Sequence, residues 1–268
     1  MNGSLRRIGG LVYRHVCVYR RSWPRLLEIA YWPTLELLVW GFTARFFSHG
    51  FGHGKSLVLA GAALVAGILL WEIMLRSQIG VALSFLEEIW SRNLGHLFVS
   101  PLRPAELLAG LLTVSLLRTS IGVLPAIILA LVLYHYNLFG PGPVMVLFFI
   151  NLLIMGWWLA LAIVALLFRY GAGAEALAWT IAFGVTPVAC VFYPLASLPV
   201  WLQPVAQILP AAHIFEGLRA LLLHNQVDWR QFGMALGLNL VWATASVMVF
   251  AGEFRRARVR GTLISIGE

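Results

Sequence analysis

Charged residues are scarce in this sequence. Only 11% of its 268 residues are Asp, Glu, Lys or Arg, whereas 60% are hydrophobic. A soluble domain carries about 25% charged residues, and several apolar stretches here exceed roughly 18 residues, the length that spans a bilayer. The composition therefore excludes an ordinary soluble protein and predicts an all-α integral membrane protein.

Residues that could bind a metal or form a disulfide are also few. The two cysteines, Cys17 and Cys190, lie far apart, and His49 and His53 are four residues apart with no third ligand nearby. Structural metal sites need several such ligands at characteristic spacing. No Ser-His-Asp or paired-carboxylate pattern stands out either. We therefore predict no metal site, no catalytic residue and no enzymatic activity.

A phosphate-binding loop is missing as well. Residues 50–56 read GFGHGKS, but His49 stands where the pattern requires its first glycine. The segment also follows an apolar span rather than a β-strand. The chain is therefore predicted to bind no cofactor and to hydrolyse no ATP by itself.

Apolar segments predict six transmembrane helices. They cover about 29–48, 57–84, 105–134, 144–168, 176–196 and 232–252. Residues 1–28 hold six arginines among apolar residues, a mixture typical of an amphipathic helix in the membrane interface, and Trp23-Pro24 suggests a break before the first span. We interpret 1–268 as one membrane domain: helix 1–28, six-helix body 29–252 and tail 253–268.

The basic residues predict the orientation. Thirteen basic residues lie in the N-terminal segment, the 85–104 and 169–175 loops and the C-terminal tail. The opposite loops hold only three: Lys55, Arg219 and Arg230. Cytoplasmic loops carry the excess of Lys and Arg, so both termini are expected in the cytoplasm. The net charge of +8 thus indicates contact with anionic lipid rather than with nucleic acid.

The 197–230 segment is too proline-rich for a span and too apolar for a solvated loop. Its pieces are separated by Pro199, Pro204 and Pro210. We predict two short re-entrant or interfacial helices on the external side, with a surface connection as the alternative. Just before it, Phe192, Tyr193 and Pro194 are interpreted as walls of a translocation path; the alternative is plain packing.

Two charges fall inside the second span. Glu72 and Arg76 are four residues apart, on one helix face. Intramembrane charges usually mark function, but a structural pair that locks two helices is equally compatible with this spacing. We predict that the two pair with each other, or with Arg118 or Glu36 on neighbouring helices.

A charged island separates the second and third spans. It reads FLEEIWSRNLGHLFVSPLR over residues 85–103, and its apolar residues recur at near-helical spacing: Phe85, Ile89, Leu94 and Leu97. Ser100-Pro101 closes it, because the residue before proline is disfavoured in a helix. This pattern predicts a short helix on the cytoplasmic membrane face, suited to receive force from a soluble motor protein.

Two stretches carry a resemblance to a known family. EEIWSRNLGHLFVSPLRPAELLAGLL (87–112) resembles the cytoplasmic loop of type-2 ATP-binding-cassette exporter permeases, although SRNLGH replaces that family's more usual residues at 91–96. CVFYPLASLPVWLQPVAQILPAAHIFEGLRALLL (190–223) resembles their fifth span and external hairpin.

The resemblance implies a permease dimer, expected to be a homodimer, driven by separate subunits that bind ATP and Mg. The 86–97 helix would couple to the motor through Glu87, Glu88, Trp90, Ser91 and Arg92. The first, second and fifth spans would line the path at the dimer interface. Members export drugs, polysaccharides or lipid-linked molecules, and a bacterial inner membrane is the expected location.

Two other functions fit parts of the sequence. A self-contained channel or proton-coupled transporter could use Glu36, Glu72 and Arg76. A membrane-embedded enzyme would need His, Asp or Ser residues clustered at one membrane depth, and the sequence shows no such cluster. The ATP-driven exporter subunit therefore remains the leading hypothesis.

Overall fold

The computed structural model describes residues 3–50, 55–91, 93 and 103–260, and within them every regular element is helical. The helices are α1 (Gly3–Arg21), α2 (Trp23–Gly50), α3 (Lys55–Trp90), α4 (Pro104–Tyr134), α5 (Val144–Tyr170), α6 (Glu175–Val185), α7 (Gln203–Gln207), α8 (Pro210–His224) and α9 (Trp229–Arg260). The distal half of the charged island, with Arg92, Leu94 and Leu97, lies outside the described residues.

Among these helices, four are long and apolar enough to cross a membrane. They cover Ala60–Trp90, Pro104–Tyr134, Val144–Tyr170 and Trp229–Val259, and they contain the second, third, fourth and sixth predicted spans. The chain is therefore an all-helical, multi-pass membrane protein. The first predicted span lies within α2, which carries Glu28, Glu36 and Arg45 and is not one of the four.

A short helix replaces the continuous fifth span predicted over 176–196. Helix α6 has 11 residues, about 16 Å at 1.5 Å per residue, roughly half of the hydrocarbon thickness. One 3-10 turn, Thr186–Val188, follows it, and Cys190 then adopts a left-handed φ of 58°. Pro187 lies in that turn and has no N–H to continue the helical ladder.

The predicted N-terminal amphipathic helix is shorter than residues 1–28. Helix α1 ends at Arg21 and α2 begins at Trp23, so the break falls at Ser22 and residues 23–28 extend the first predicted span. Pro24 lies in the first turn of α2, where proline is tolerated because the first N–H groups of a helix lack intrahelical partners.

Helices α3 and α5 form the centre of the fold. Helix α3 packs against α2, α4, α5, α6 and α8, and α5 also packs against α9. Trp71 and Met74 of α3 are buried with Phe148 of α5 and Phe215 of α8 in the largest apolar cluster. Helices α4 and α9 lie outside this centre and expose apolar faces, at Ile128 and Met248 among others.

Both helices predicted in the 197–230 segment are present, as α7 and α8. Helix α8 packs against α3, α5 and α9, and its Ile214, Phe215 and Leu218 are buried. Phe215 meets Trp71 edge-on, with ring centroids 6.0 Å apart. Helix α8 is therefore part of the helical core, whereas Val200 and Trp201 before α7 are exposed.

Candidate functional site

The end of α3 is covered by α1 through Glu88. Arg14 Nη1 donates to both carboxylate oxygens of Glu88 at 2.7 Å, and Asn93 Nδ2 donates to Oε2 at 2.7 Å. The Glu88 side chain is only 1% exposed. Hydrogen bonds between charged partners are short and about twice as strong as neutral ones, so this contact fixes α1 on α3.

Glu87, one residue earlier, faces two arginines of other helices. Its Oε1 lies 3.6 Å from Arg118 Nη1 of α4 and 3.6 Å from Arg25 Nη1 of α2. Arg118 also donates to the Tyr19 hydroxyl of α1 at 2.9 Å. Burial raises the pKa of Tyr19, so this phenol stays neutral. Four helices thus meet around the two glutamates.

A second ion pair ties α1 to the start of α4. Arg7 Nε donates to Glu106 Oε2 at 2.8 Å and Arg7 Nη2 to Oε1 at 2.5 Å. Glu106 also accepts the backbone N–H of Arg103 at 3.0 Å, a favourable place for an acid at a helix N-terminus. The bond to Glu106 raises the pKa of Arg7. We call Arg7, Arg14, Glu88 and Glu106 the α1 clamp.

A cleft of about 320 Å³ opens beside the clamp. It is lined by Arg14, His15, Val18, Arg25, Glu87, Glu88, Trp90 and Ser91. Of the five predicted motor-contact residues, Trp90 (50% exposed) and Ser91 lie at the surface and Glu87 is partly buried. Glu88 instead faces α1, and Arg92 lies outside the described residues.

The partner of Glu88 could not be predicted from the sequence. The available signal was the seven-residue spacing of Arg7 and Arg14, which places both on one face of α1. That periodicity identifies a shared face but not the carboxylates that it meets.

The structure brings Glu72 and Arg76 together inside α3. Arg76 Nε donates to Glu72 Oε2 at 2.8 Å, and the two side chains are 13% and 0% exposed. Arg118 is not a partner of this pair, because it contacts Tyr19 and Glu87 instead.

Of the three predicted path residues, Phe192 lies against α2. Phe192 stacks on Trp40, with ring centroids 4.7 Å apart and 24° between planes. The Tyr193 hydroxyl donates to the Pro187 carbonyl, and Pro194 is exposed at the start of a 3-10 turn. Packing thus joins the chain after α6 to the distal half of α2.

Helix α8 holds this same stretch by a polar latch. Glu216 Oε1 accepts the backbone N–H of Leu195 at 2.6 Å and Arg219 Nη2 at 2.9 Å. Arg219 Nη1 donates to the Cys190 carbonyl at 2.9 Å. We call Glu216 and Arg219 the α8 latch, because they tie α8 to residues 190–195.

In the described part of the chain, no three His, Cys, Asp or Glu side chains come together as a metal site. No curated protein matches the chain. The sequence model of the ABC-2 type transporter family matches residues 9–223, a range that begins within α1 and ends within α8. It contains Arg14, Glu88 and Glu106 of the α1 clamp, the Glu72–Arg76 pair and the α8 latch. Because the match spans well over half of the sequence, this membrane-spanning chain belongs to the ABC-2 type transporter family.

Proposed function

We propose that this chain is the transmembrane subunit of an ATP-driven exporter. The match to the ABC-2 type transporter family carries the proposal, because permeases of this family usually work with an ATP-binding subunit. The sequence itself contains no phosphate loop. ATP and Mg therefore bind in a separate partner subunit, and this chain forms a dimer that supplies the path.

The end of α3 and the α1 clamp receive the motion of the motor subunit. Trp90 and Ser91 supply the exposed contact surface, and Arg14 and Arg25 line the same cleft. Arginines at such a rim favour an acidic partner surface. Glu88 lies beneath this contact surface. Its bonds to Arg14 link α1 to α3, so that the two helices move together.

The chain crosses the bacterial inner membrane six times with both termini in the cytoplasm. Helix α2 supplies the first crossing, and α6 with the irregular stretch after it supplies the fifth. The distribution of thirteen basic residues against three supports this orientation. In this orientation the α1 clamp lies on the cytoplasmic side and the α8 latch lies at the external end of the membrane domain.

The substrate path runs along α2 and the stretch after α6. The Trp40–Phe192 stack and Tyr193 give it aromatic walls, which suit hydrophobic, amphipathic or glycan-type substrates. The re-entrant pair α7 and α8 closes its external end, and the α8 latch holds that closure against residues 190–195.

Reconstitution with and without an ABC ATPase tests this function. The chain alone in proteoliposomes is expected to show no ATP hydrolysis and no substrate movement, whereas adding the ATPase gives both. Trp90→Ala should reduce binding of the ATPase, while Trp229→Ala, at an equally exposed tryptophan outside the cleft, should not. Transport by the chain alone would instead establish a self-contained transporter.

A further inference from the structure

A second cleft, of about 500 Å³, lies where α7 and α8 meet the start of α9. Gln207 of α7 and His213 of α8 line one side of it, and Arg230 and Met234 of α9 line the other. Its volume is within the range of ligand-binding cavities in proteins. We call it the α9 cleft. It shares no lining residue with the cleft beside the α1 clamp.

Hydrogen bonds between the helices hold the walls of the α9 cleft in place. His213 Nδ1 lies 2.6 Å from Gln231 Oε1, and His213 Nε2 lies 2.9 Å from the Gln207 carbonyl oxygen. Trp242 Nε1 of α9 donates to the Ile208 carbonyl at 3.0 Å. Because both nitrogens of His213 are occupied, this side chain positions the walls and leaves other groups to contact a ligand.

The polar end of the α9 cleft carries donors without acceptors. The Arg230 guanidinium makes no hydrogen bond or ion pair with any residue that the structure describes, and only its backbone N–H is bonded, to Asp228 Oδ1 at 3.0 Å. The side-chain amide nitrogens of Gln207 and Gln231 also lack partners among the described residues. Guanidinium and amide N–H groups together suit the oxygens of a phosphate.

The acids near the α9 cleft are already engaged. Glu216 lines the cleft, but its Oε1 accepts from Arg219 at 2.9 Å, so this pair is neutral. Asp228, outside the cleft lining, accepts the backbone N–H groups of Arg230 and Gln231 at the start of α9. The charge that remains uncompensated in the cleft is that of Arg230, and it favours an anionic ligand.

The α9 cleft also has an apolar end, and the direction of α9 gives its depth. The span Trp229–Val259 begins one residue before Arg230, and Trp229 is exposed, as is typical of tryptophan at a membrane interface. Met234 and Leu238 follow Arg230 by four and eight residues on one helix face, about 6 and 12 Å further along the span. The free donors therefore lie at headgroup depth and the apolar wall at acyl-chain depth.

We propose that the α9 cleft binds one anionic phospholipid. Its phosphate accepts from Arg230 and from the amides of Gln207 and Gln231, and an acyl chain lies along Met234 and Leu238. A zwitterionic lipid brings a cation together with its phosphate and leaves the charge of Arg230 uncompensated. A soluble phosphate leaves the apolar wall uncovered. The bound lipid contacts both α7 and α9, and its binding requires neither the ATPase nor transport.

Lipid titration of the purified full chain tests the proposal. The chain is freed of lipid in detergent, and native mass spectrometry counts bound dioleoylphosphatidylglycerol or dioleoylphosphatidylcholine, which share their acyl chains. Arg230→Gln removes the cation, and Arg255→Gln is its control, because Arg255 is an exposed arginine near the other end of α9. Met234→Asn alters the apolar wall, and its control is Met248→Asn, since Met248 is exposed on α9 outside the cleft.

One phosphatidylglycerol should bind per chain, about tenfold more tightly than phosphatidylcholine. Arg230→Gln should weaken its binding about tenfold, the order expected for one charge-assisted hydrogen bond, and Met234→Asn about fourfold, the equivalent of one buried CH₂ group. The two controls should leave it unchanged. Equal losses in Arg230→Gln and Arg255→Gln would overturn the proposal in favour of general attraction to basic residues. Equal binding of the two lipids, or displacement of the lipid by equimolar glycerol phosphate, would also overturn it.

Discussion

At the scale of single residues, Glu88 is the point where donors from α1 and from the end of α3 converge. Arg14 and Asn93 both donate to its carboxylate, and His15 Nε2 lies 3.6 Å away. The carboxylate is buried, so its charge depends on these partners for compensation. Trp90, two residues later, is half exposed. Of two neighbouring residues in one short stretch, Glu88 therefore makes an internal contact and Trp90 lies at the surface.

We predict that Glu88→Gln loosens α1 without preventing membrane insertion. Gln keeps the shape of the side chain but not its charge. Breaking one side of a fully buried ion pair costs about 3–5 kcal/mol of stability. The expected cost here is smaller, about 1–3 kcal/mol, because Arg14 is 42% exposed and partly screened by solvent. Trypsin should then cleave faster after Arg20 and Arg21 of α1. Glu253→Gln is the control, since its partner Arg256 is largely exposed at the end of α9. Unchanged cleavage in Glu88→Gln would contradict the clamp.

At the scale of elements, the contact of α3 with α5 is closest at Gly156. A Cβ placed there would lie 1.9 Å from Ser77 Oγ and 2.5 Å from the Met74 carbonyl oxygen. A backbone carbonyl cannot move away as a side-chain tip can. The two central helices therefore require glycine at this position.

We predict that Gly156→Ala separates α3 from α5. Overpacking typically costs about 1–3 kcal/mol, and this site is at the severe end because backbone is involved. The measurement is the thermal unfolding midpoint of the purified chain. Gly237→Ala on α9 is the control, because no atom lies within 4 Å of its added Cβ. Because Ala favours a helix more than Gly does, Gly237→Ala should leave the midpoint unchanged or raise it. An unchanged or raised midpoint in Gly156→Ala would contradict the close crossing.

The proposed hairpin of α7 and α8 gives a second prediction at this scale. In a background without Cys17 and Cys190, single cysteines at Val200 and Trp201, which are 81% and 74% exposed, should react with a membrane-impermeant thiol reagent added from outside. A cysteine at Ala212, which is 1% exposed, should stay protected.

Adding Arg219→Ala should raise the reactivity at position 212, because it removes the bond to the Cys190 carbonyl. Arg255→Ala, at an exposed arginine near the other end of α9, is the matched control and should leave position 212 protected. Uniform high reactivity at positions 200, 201 and 212 without Arg219→Ala would indicate an ordinary surface loop.

Element boundaries could be predicted where apolar runs end in prolines or charges. The 105–134 and 144–168 predictions differ from α4 and α5 by at most two residues at either end. The contacts of α1 could not be predicted, because Arg7 and Glu106 are 99 residues apart. Periodicity states which residues share a face but not what that face meets. Likewise, the apolar run over 176–196 predicted a continuous span but not that α6 would end at Val185, two residues before Pro187.

At the scale of the whole molecule, α2 combines charged residues with an exposed apolar face. It carries Glu28, Glu36 and Arg45 along a length that otherwise suits a span, and charged groups facing hydrocarbon are costly. Its exposed apolar residues include Val39, Phe42 and Phe46. A helix of this composition is better placed against protein or a water-filled cavity than against lipid. This is consistent with the proposed dimer having α2 at its centre.

The last prediction follows from this position of α2. In a background without Cys17 and Cys190, a cysteine in place of Phe42 should form a disulfide-linked dimer in native membranes under mild oxidation. A cysteine in place of Val241 on α9 should not, although Val241 is 65% and Phe42 55% exposed in the single chain. Disulfides require Cα atoms within about 7 Å, so diffusion of separate chains gives little product at either position. Non-reducing electrophoresis measures the yield. If position 241 cross-links and position 42 does not, α9 forms the interface and the path cannot lie along α2.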